Sequence, residues 1–350
     1  MKIPVKSFGF RLDLPWMGWA LVVLMMMCCG RKNESKNEIL LPEAIAEEDI
    51  VVLFYPVAHD VPIRAYFEFM DSLTAHLDST LNYPVNEYLV ALANPWLIDT
   101  LAHTDYYYQM SKGIFNEDSQ KLPALRKGEK LLIPDSLQAD SLKKMLESIV
   151  IDVNIPEFKL RIIENSRVLY TFPVRVGRVQ QKYLAMAGRK VDLRTKTGTG
   201  KVIRVNRSPT FINPSNNKKY YTTKRDDGKI TKLPRTPWIE PELDGHRYGQ
   251  LIHPTTNPET LGKAYSNGCI GMKEGDMWRL YYHAPVGTTV VVRYDLQGID
   301  EKGDSILLKN IYPGFEQMDK RRQIIAAALG QFQVSGENPP SVCECGIIAQ

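Results

Sequence analysis

Ser266-Asn267-Gly268-Cys269-Ile270-Gly271-Met272, with His253 sixteen positions upstream of the cysteine, is the stretch that decides how this chain reads. A cysteine between glycine and an apolar residue, with a histidine at loop-plus-strand distance, supplies the parts of a thiol nucleophile and its base. The thiolate attacks carbonyls, so such a cysteine needs a neighbour that takes its proton or lowers its pKa. Gly268 has no side chain to block a substrate, which lets the backbone come close. The amides of Gly268 and Cys269 are then candidates for holding an oxyanion, and His253 for general base and acid. Ser266 either orients the imidazole or serves as a turn hydroxyl. Asn267 reads as a solvent-facing filler.

Working outward, His253-Pro254-Thr255-Thr256-Asn257-Pro258 leads through Leu261-Gly262-Lys263 into Ser-Asn-Gly-Cys. This order resembles the signature of the YkuD-type L,D-transpeptidases, a His-Gly-Thr stretch, an Asn-Pro turn, a Gly-Lys and then Ser-x-Gly-Cys-[Ile/Val]-Arg. Pro254 stands where the family has glycine, and Gly271 where it has arginine. In the family the carbonyl after the histidine is thought to hold the imidazole tautomer, and proline keeps that carbonyl. Arg279 or Lys273 are candidates to replace the missing arginine, and Tyr248 is a third candidate for substrate contact. The resemblance covers roughly residues 150–295. Thr195-Lys196-Thr197-Gly198-Thr199-Gly200 looks like a variant of the family's Thr-Pro-Thr-Gly turn, and Pro285 to Val290 like its closing turn and strand.

The resemblance implies a mainly β catalytic domain, a sandwich or barrel with a short helix beside the nucleophile, over residues 149–312. It implies that Cys269 attacks the carbonyl before the terminal D-alanine of a peptidoglycan tetrapeptide stem and holds the peptide as a thioester. An amine on a second stem then makes a crosslink; resolution by water would make an L,D-carboxypeptidase instead. No metal or organic cofactor is needed. The reading from another class is a non-catalytic wall-binding lipoprotein that keeps the fold, for which Gly271 is the argument. A cysteine peptidase of different specificity is the third.

The rest of the chain frames this domain. Its 350 residues allow two or three units, and a net charge of +4 with no dense basic patch argues against nucleic acid as a partner. Residues 40–148 read as a mostly helical region. Ala65 to Leu77 carries apolar residues near helical spacing, and Asn86 is a candidate cap for the next helix. Within it, residues 86–135 resemble a degenerate wall-binding LysM module, on the strength of Lys127-Gly128-Glu129 followed by an apolar strand and Pro134. Tyr106 to Tyr108 are candidates for sugar stacking or for core. In the catalytic domain, Glu164-Asn165-Ser166-Arg167 reads as a hairpin turn between two strands. The polar stretch from Asn213 to Pro241 reads as a lid or substrate-facing loop. Asp276 is a candidate cap for the short helix, and Val290 to Tyr294 is expected to close the sheet.

At the start, Lys2, Lys6 and Arg11 precede an apolar run from Trp16 to Met27, too short for a bilayer span. The run ends in Cys28-Cys29-Gly30, which resembles a bacterial lipoprotein signal over residues 1–29, with Cys29 (or Cys28) lipidated and a polar linker at 30–39. The expected location is therefore the periplasm, anchored to the membrane, with peptidoglycan stems as partner. Cys343 and Cys345 lie in a C-terminal helix and tail, 313–350, and no Cys/His spacing resembles a zinc site.

Overall fold

The computed structural model describes residues 52–317, apart from 186, 214 and 301. The signal-like segment, the linker, residues 40–51, the cysteines other than Cys269 and nearly all of the expected C-terminal helix and tail lie outside the described residues.

Residues 52–148 are mostly helical, with α1 (Tyr66–Thr80), α2 (Glu87–Ala93), α3 (Pro95–Ala102), α4 (Tyr106–Ser111) and α5 (Ser136–Glu147). α1 buries Tyr66, Met70, Leu73 and Leu77, a single stripe at helical period. Asn86 caps α2 by accepting from the Leu89 amide at 3.1 Å, and Pro95 opens α3, where a missing amide costs nothing. The strand after Lys127-Gly128-Glu129, Lys130–Ile133, pairs antiparallel with Leu53–Pro56. That partner lies upstream of residue 86, so the ladder is completed from outside 86–135.

An eight-stranded sheet follows: β1 (Ile149–Asn154), β2 (Lys159–Glu164), β3 (Arg167–Pro173), β4 (Gly198–Asn206), β5 (Trp238–Leu243), β6 (Ile252–Pro254), β7 (Ile270–Met272) and β8 (Thr289–Arg293). Their order is β7-β6-β5-β4-β8-β1-β2-β3. The ladders are antiparallel except β6–β7 and β8–β1. The β2–β3 hairpin turns on Asn165 and Ser166, both at positive φ, as a two-residue primed turn requires.

One expectation about the sheet needs correction. β8 does not close it but sits in the middle, between β4 and β1. Val290 and Val292 are buried there, as suits a strand hydrogen-bonded on both sides. Closure happens elsewhere. Just past β3, Arg175 pairs with Gly271 of β7, and this bridge joins the two edges of the sheet into a barrel-like layer.

The short helix after β7, α6 (Glu274–His283), belongs to both regions. Met277, Leu280 and Ala284 pack into the core of the sheet, while Trp278, Tyr281 and Tyr282 pack into the core of the helical region. A helix buried on both faces ties the two together. A buried side chain such as Met277 or Leu280 contributes roughly 1.5–3 kcal/mol. The tyrosine hydroxyls are satisfied in place: Tyr281 donates to Glu87, and the Tyr66 and Tyr282 hydroxyls meet at 2.5 Å. Asp276 lies in the first turn of α6 but does not cap it; Asp105, at the head of α4, accepts from the Gly275 amide at 2.9 Å instead.

The segment 213–241 carries structure of its own. Thr222–Lys224 and Ile230–Lys232 form a hairpin around Arg225-Asp226-Asp227-Gly228. Arg225 and Glu274, both buried, form an ion pair, and the guanidinium lies 4.6 Å from the Tyr106 ring centre. Tyr106 donates to Asp227 at 2.7 Å, and the Tyr107 hydroxyl accepts from the Asp226 amide at 2.9 Å. These two tyrosines therefore hold the hairpin.

Candidate active site

Cys269 ends a turn at the entrance to β7, and His253 is the middle residue of β6. The two strands run parallel with Ile252 opposite Ile270 and His253 opposite Gly271. Alternation along a strand then puts Cys269, Gly271 and His253 on one face. Cys269 lies level with Leu251, whose amide donates to its Sγ at 3.5 Å. The thiol is free and half-buried.

The turn is held from several sides. Ser266 Oγ donates to the Cys269 carbonyl at 2.5 Å, and the Gly268 amide donates to Ser266 Oγ at 3.2 Å. Ser266 thus shapes the turn rather than orienting the imidazole. Gly268 sits at φ 112°, where a side chain would be strained. Thr195, fully buried, accepts from the Gly177 amide at 2.8 Å and donates to the Gly268 carbonyl at 3.0 Å. The Arg178 amide donates to the Ser266 carbonyl at 3.1 Å. Asn267 is not a solvent-facing filler: its side-chain oxygen is buried and without a hydrogen-bond partner.

His253 Nδ1 lies 2.9 Å from the Pro254 carbonyl. A carbonyl only accepts, so Nδ1 carries the proton and Nε2 keeps its lone pair. Burial, with the Arg175 charge second, pushes the imidazole down to about 4. Burial pushes the Cys269 thiol up, and Glu240 adds to this; the Leu251 amide and Arg175 oppose it. Both groups are therefore neutral at neutral pH.

The structure does not bring every candidate here. Arg279 donates to Asp99 of α3 at 2.9 Å and lies 4.0 Å from Asp276, so it braces α6 against the helical region. Lys273 is exposed at the head of α6, and Tyr248 is exposed and stacked on His246. The residues that surround Cys269 instead include Arg175, Arg178, Thr195 and Glu240. Glu240 is buried on β5, where Arg204 donates to it at 2.7 Å. Of these, Thr195 lies in the turn that resembles the family's and Glu240 at the end of the polar stretch 213–241, neither singled out by its own residue type. Among the described residues no group of three His, Cys, Asp or Glu side chains is gathered to hold a metal ion.

The YkuD family model, described as an L,D-transpeptidase catalytic domain, matches residues 148–292. The YkuD protein of Bacillus licheniformis is 28% identical over 165 residues, which span 47% of this chain and 74% of that protein. The YkuD protein of Bacillus subtilis (strain 168) is 30% identical over 142 residues, 41% of this chain and 64% of the relative, a little under two thirds of its length. A solved L,D-transpeptidase structure from Xylanimonas cellulosilytica covers 69% of this chain and 97% of its own at 13% identity and a TM-score of 0.31, a likeness too slight to carry an argument. On the family match and the curated relatives, the domain at residues 148–292 belongs to the YkuD-type L,D-transpeptidases.

Proposed function

We propose that this chain transfers acyl groups between peptidoglycan peptide stems through a thioester on Cys269, with His253 as base. The observation that carries this is the His253 Nδ1–Pro254 carbonyl contact at 2.9 Å, which leaves Nε2 free on the face that bears the thiol. Sγ gives its proton to Nε2 as it attacks the carbonyl preceding the terminal D-alanine. The C–N bond breaks, His253 returns the proton to the leaving amine, and D-alanine departs. An amine of a second stem then attacks the thioester and loses its proton to His253; the C–S bond breaks, and His253 returns the proton to Sγ, restoring the thiol. Because the Gly268 amide is engaged by Ser266, the oxyanion falls to the amide of Cys269 itself.

A resting pair that is neutral on both members suits this order. The proton moves during attack rather than before it, as in general-base catalysis. The supporting sequence features at residues 1–29 lead us to propose also that a lipid on Cys29 (or Cys28) anchors the enzyme to the membrane, facing the periplasm. Loss of the protein from the membrane fraction on substitution of both cysteines by serine is the expected result.

The test is incubation with a tetrapeptide-stem muropeptide, following D-alanine release and product mass. A crosslinked dimer supports transpeptidation. Release with only a shortened tripeptide stem identifies an L,D-carboxypeptidase. No release by a folded protein with a reduced thiol contradicts the proposal and favours a wall-binding role.

A further inference from the structure

Gly271 stands at the centre of a row of three paired residues. Arg175 faces it across the seam of the sheet, and His253 faces it on the other side. Paired residues in neighbouring strands send their side chains to the same face. Here the middle position of that row has no side chain, and Arg175 fills it. A Cβ built on Gly271 would lie 2.6 Å from Arg175 Nε, 2.9 Å from its Cγ and 3.1 Å from its Cδ. The arginine stem therefore lies across the glycine, in the direction of β6 and its histidine.

The guanidinium has few partners of its own. One terminal nitrogen donates to Thr260 Oγ1 at 3.2 Å, and Nε is buried without a hydrogen-bond partner. No carboxylate lies within ion-pair distance of it among the described residues. An arginine taken largely out of water normally finds a carboxylate. This one is placed beside the face that carries Cys269.

We propose that Arg175 is a positioning residue for the reaction, whose guanidinium, laid across Gly271, stabilises negative charge on Cys269 Sγ and keeps His253 neutral. In this account the glycine at 271 is the space that admits the charge from the opposite strand. The proposal rests on Cys269 being the nucleophile. The charged and titratable groups that face these three are Arg178, Asp226 and Tyr220 around Arg175, and Glu240 beside Cys269. Arg178 repels Arg175, Asp226 and Tyr220 attract it, and Glu240 opposes its action on the thiol.

Alkylation of the full chain by iodoacetamide, followed by mass on the peptide containing Cys269 across a pH series, reads the thiolate directly and needs no peptide substrate. Arg175→Met keeps the aliphatic stem over Gly271 and removes the charge. Its alkylation midpoint is expected to rise by about one unit, with about tenfold slower labelling at any pH below both midpoints. Arg175→Lys is expected to recover most of that loss. Gly271→Arg alone should collide with the Arg175 stem, whereas Arg175→Ala combined with Gly271→Arg delivers a guanidinium from the neighbouring strand and should label faster than Arg175→Ala.

An unchanged midpoint in a folded Arg175→Met protein overturns the proposal. So does an Arg175→Lys protein no closer to the parent than Arg175→Met. If the methionine variant does not fold, the lysine variant and the swapped pair decide. Failure of the transpeptidase reading would look different: normal, pH-dependent labelling of Cys269 in the parent protein with no turnover of stems.

Discussion

Arg175 and Gly271, on opposite edges of one sheet, exchange two backbone hydrogen bonds of 2.8 and 3.0 Å. Through this pair the sheet closes next to Cys269, so the proposed nucleophile sits at a seam rather than inside a continuous run of strands. The seam brings together groups from four separate stretches of chain: the cysteine turn, the His253 strand, Arg175 to Arg178, and Thr195. Each has backbone or side-chain bonds that fix it independently of substrate, which is how an active site is kept in geometry before a ligand arrives.

The pH dependence follows from the two environments. Base catalysis needs His253 neutral, and burial with the Arg175 charge holds it down to about 4. The rate of Cys269 acylation should therefore stay level as pH falls through the usual histidine range and decline only as it passes about 4. On the alkaline side the thiol is pushed up by burial, so its ionisation should appear above the ordinary thiol range. A pre-steady-state acylation series in pH reads both limbs. An acid midpoint near 6.5 would mean an imidazole exposed to water.

Arg225 and Glu274 tether the 222–232 hairpin to the start of α6 in a buried ion pair. Removing one partner leaves the other charged and unpaired in the interior, which costs about 3–5 kcal/mol. Arg225→Met and Glu274→Met should each lower stability by that order in denaturant unfolding. The double variant should lose much less than the sum, because neither charge is then stranded. Additive losses would show that the two residues act separately.

Thr195 joins the backbone at Gly177 to the cysteine turn through one hydroxyl. Thr195→Val keeps the shape and removes both hydrogen bonds, leaving a buried Gly177 amide unsatisfied. The expected loss is about 1–3 kcal/mol in stability, with a fall in kcat larger than any rise in KM, since the turn loosens while the substrate groove stays. An unaltered kcat would remove Thr195 from the machinery that sets the turn.

What the sequence discloses, and what it hides, depends on how local the interaction is. Cys269 and His253 belong to one strand-turn-strand unit, so their spacing and the Asn257-Pro258 turn already placed them near each other on paper. The Asn86 cap and the Asn165-Ser166 hairpin turn are read just as directly, because each acts within a few residues. Arg175 could not be read, because its relation to Gly271 exists only after β7 closes on the segment just past β3. The roles of Tyr106 and Tyr107 were hidden for the same reason, since Asp226 and Asp227 lie far off in the chain. α6 shows a third limit. Its apolar residues surround the helix, a pattern that signals burial without saying that two different cores share it.

The most direct test of the account is intact-mass analysis of the protein with a carbapenem or a tetrapeptide-stem muropeptide, beside Cys269→Ala and His253→Ala. The account predicts one covalent adduct on the parent protein, none on Cys269→Ala, and slow formation on His253→Ala that no longer declines at pH 4. An adduct that persists in Cys269→Ala, or no adduct with either ligand on a folded protein with a reduced thiol, would contradict it.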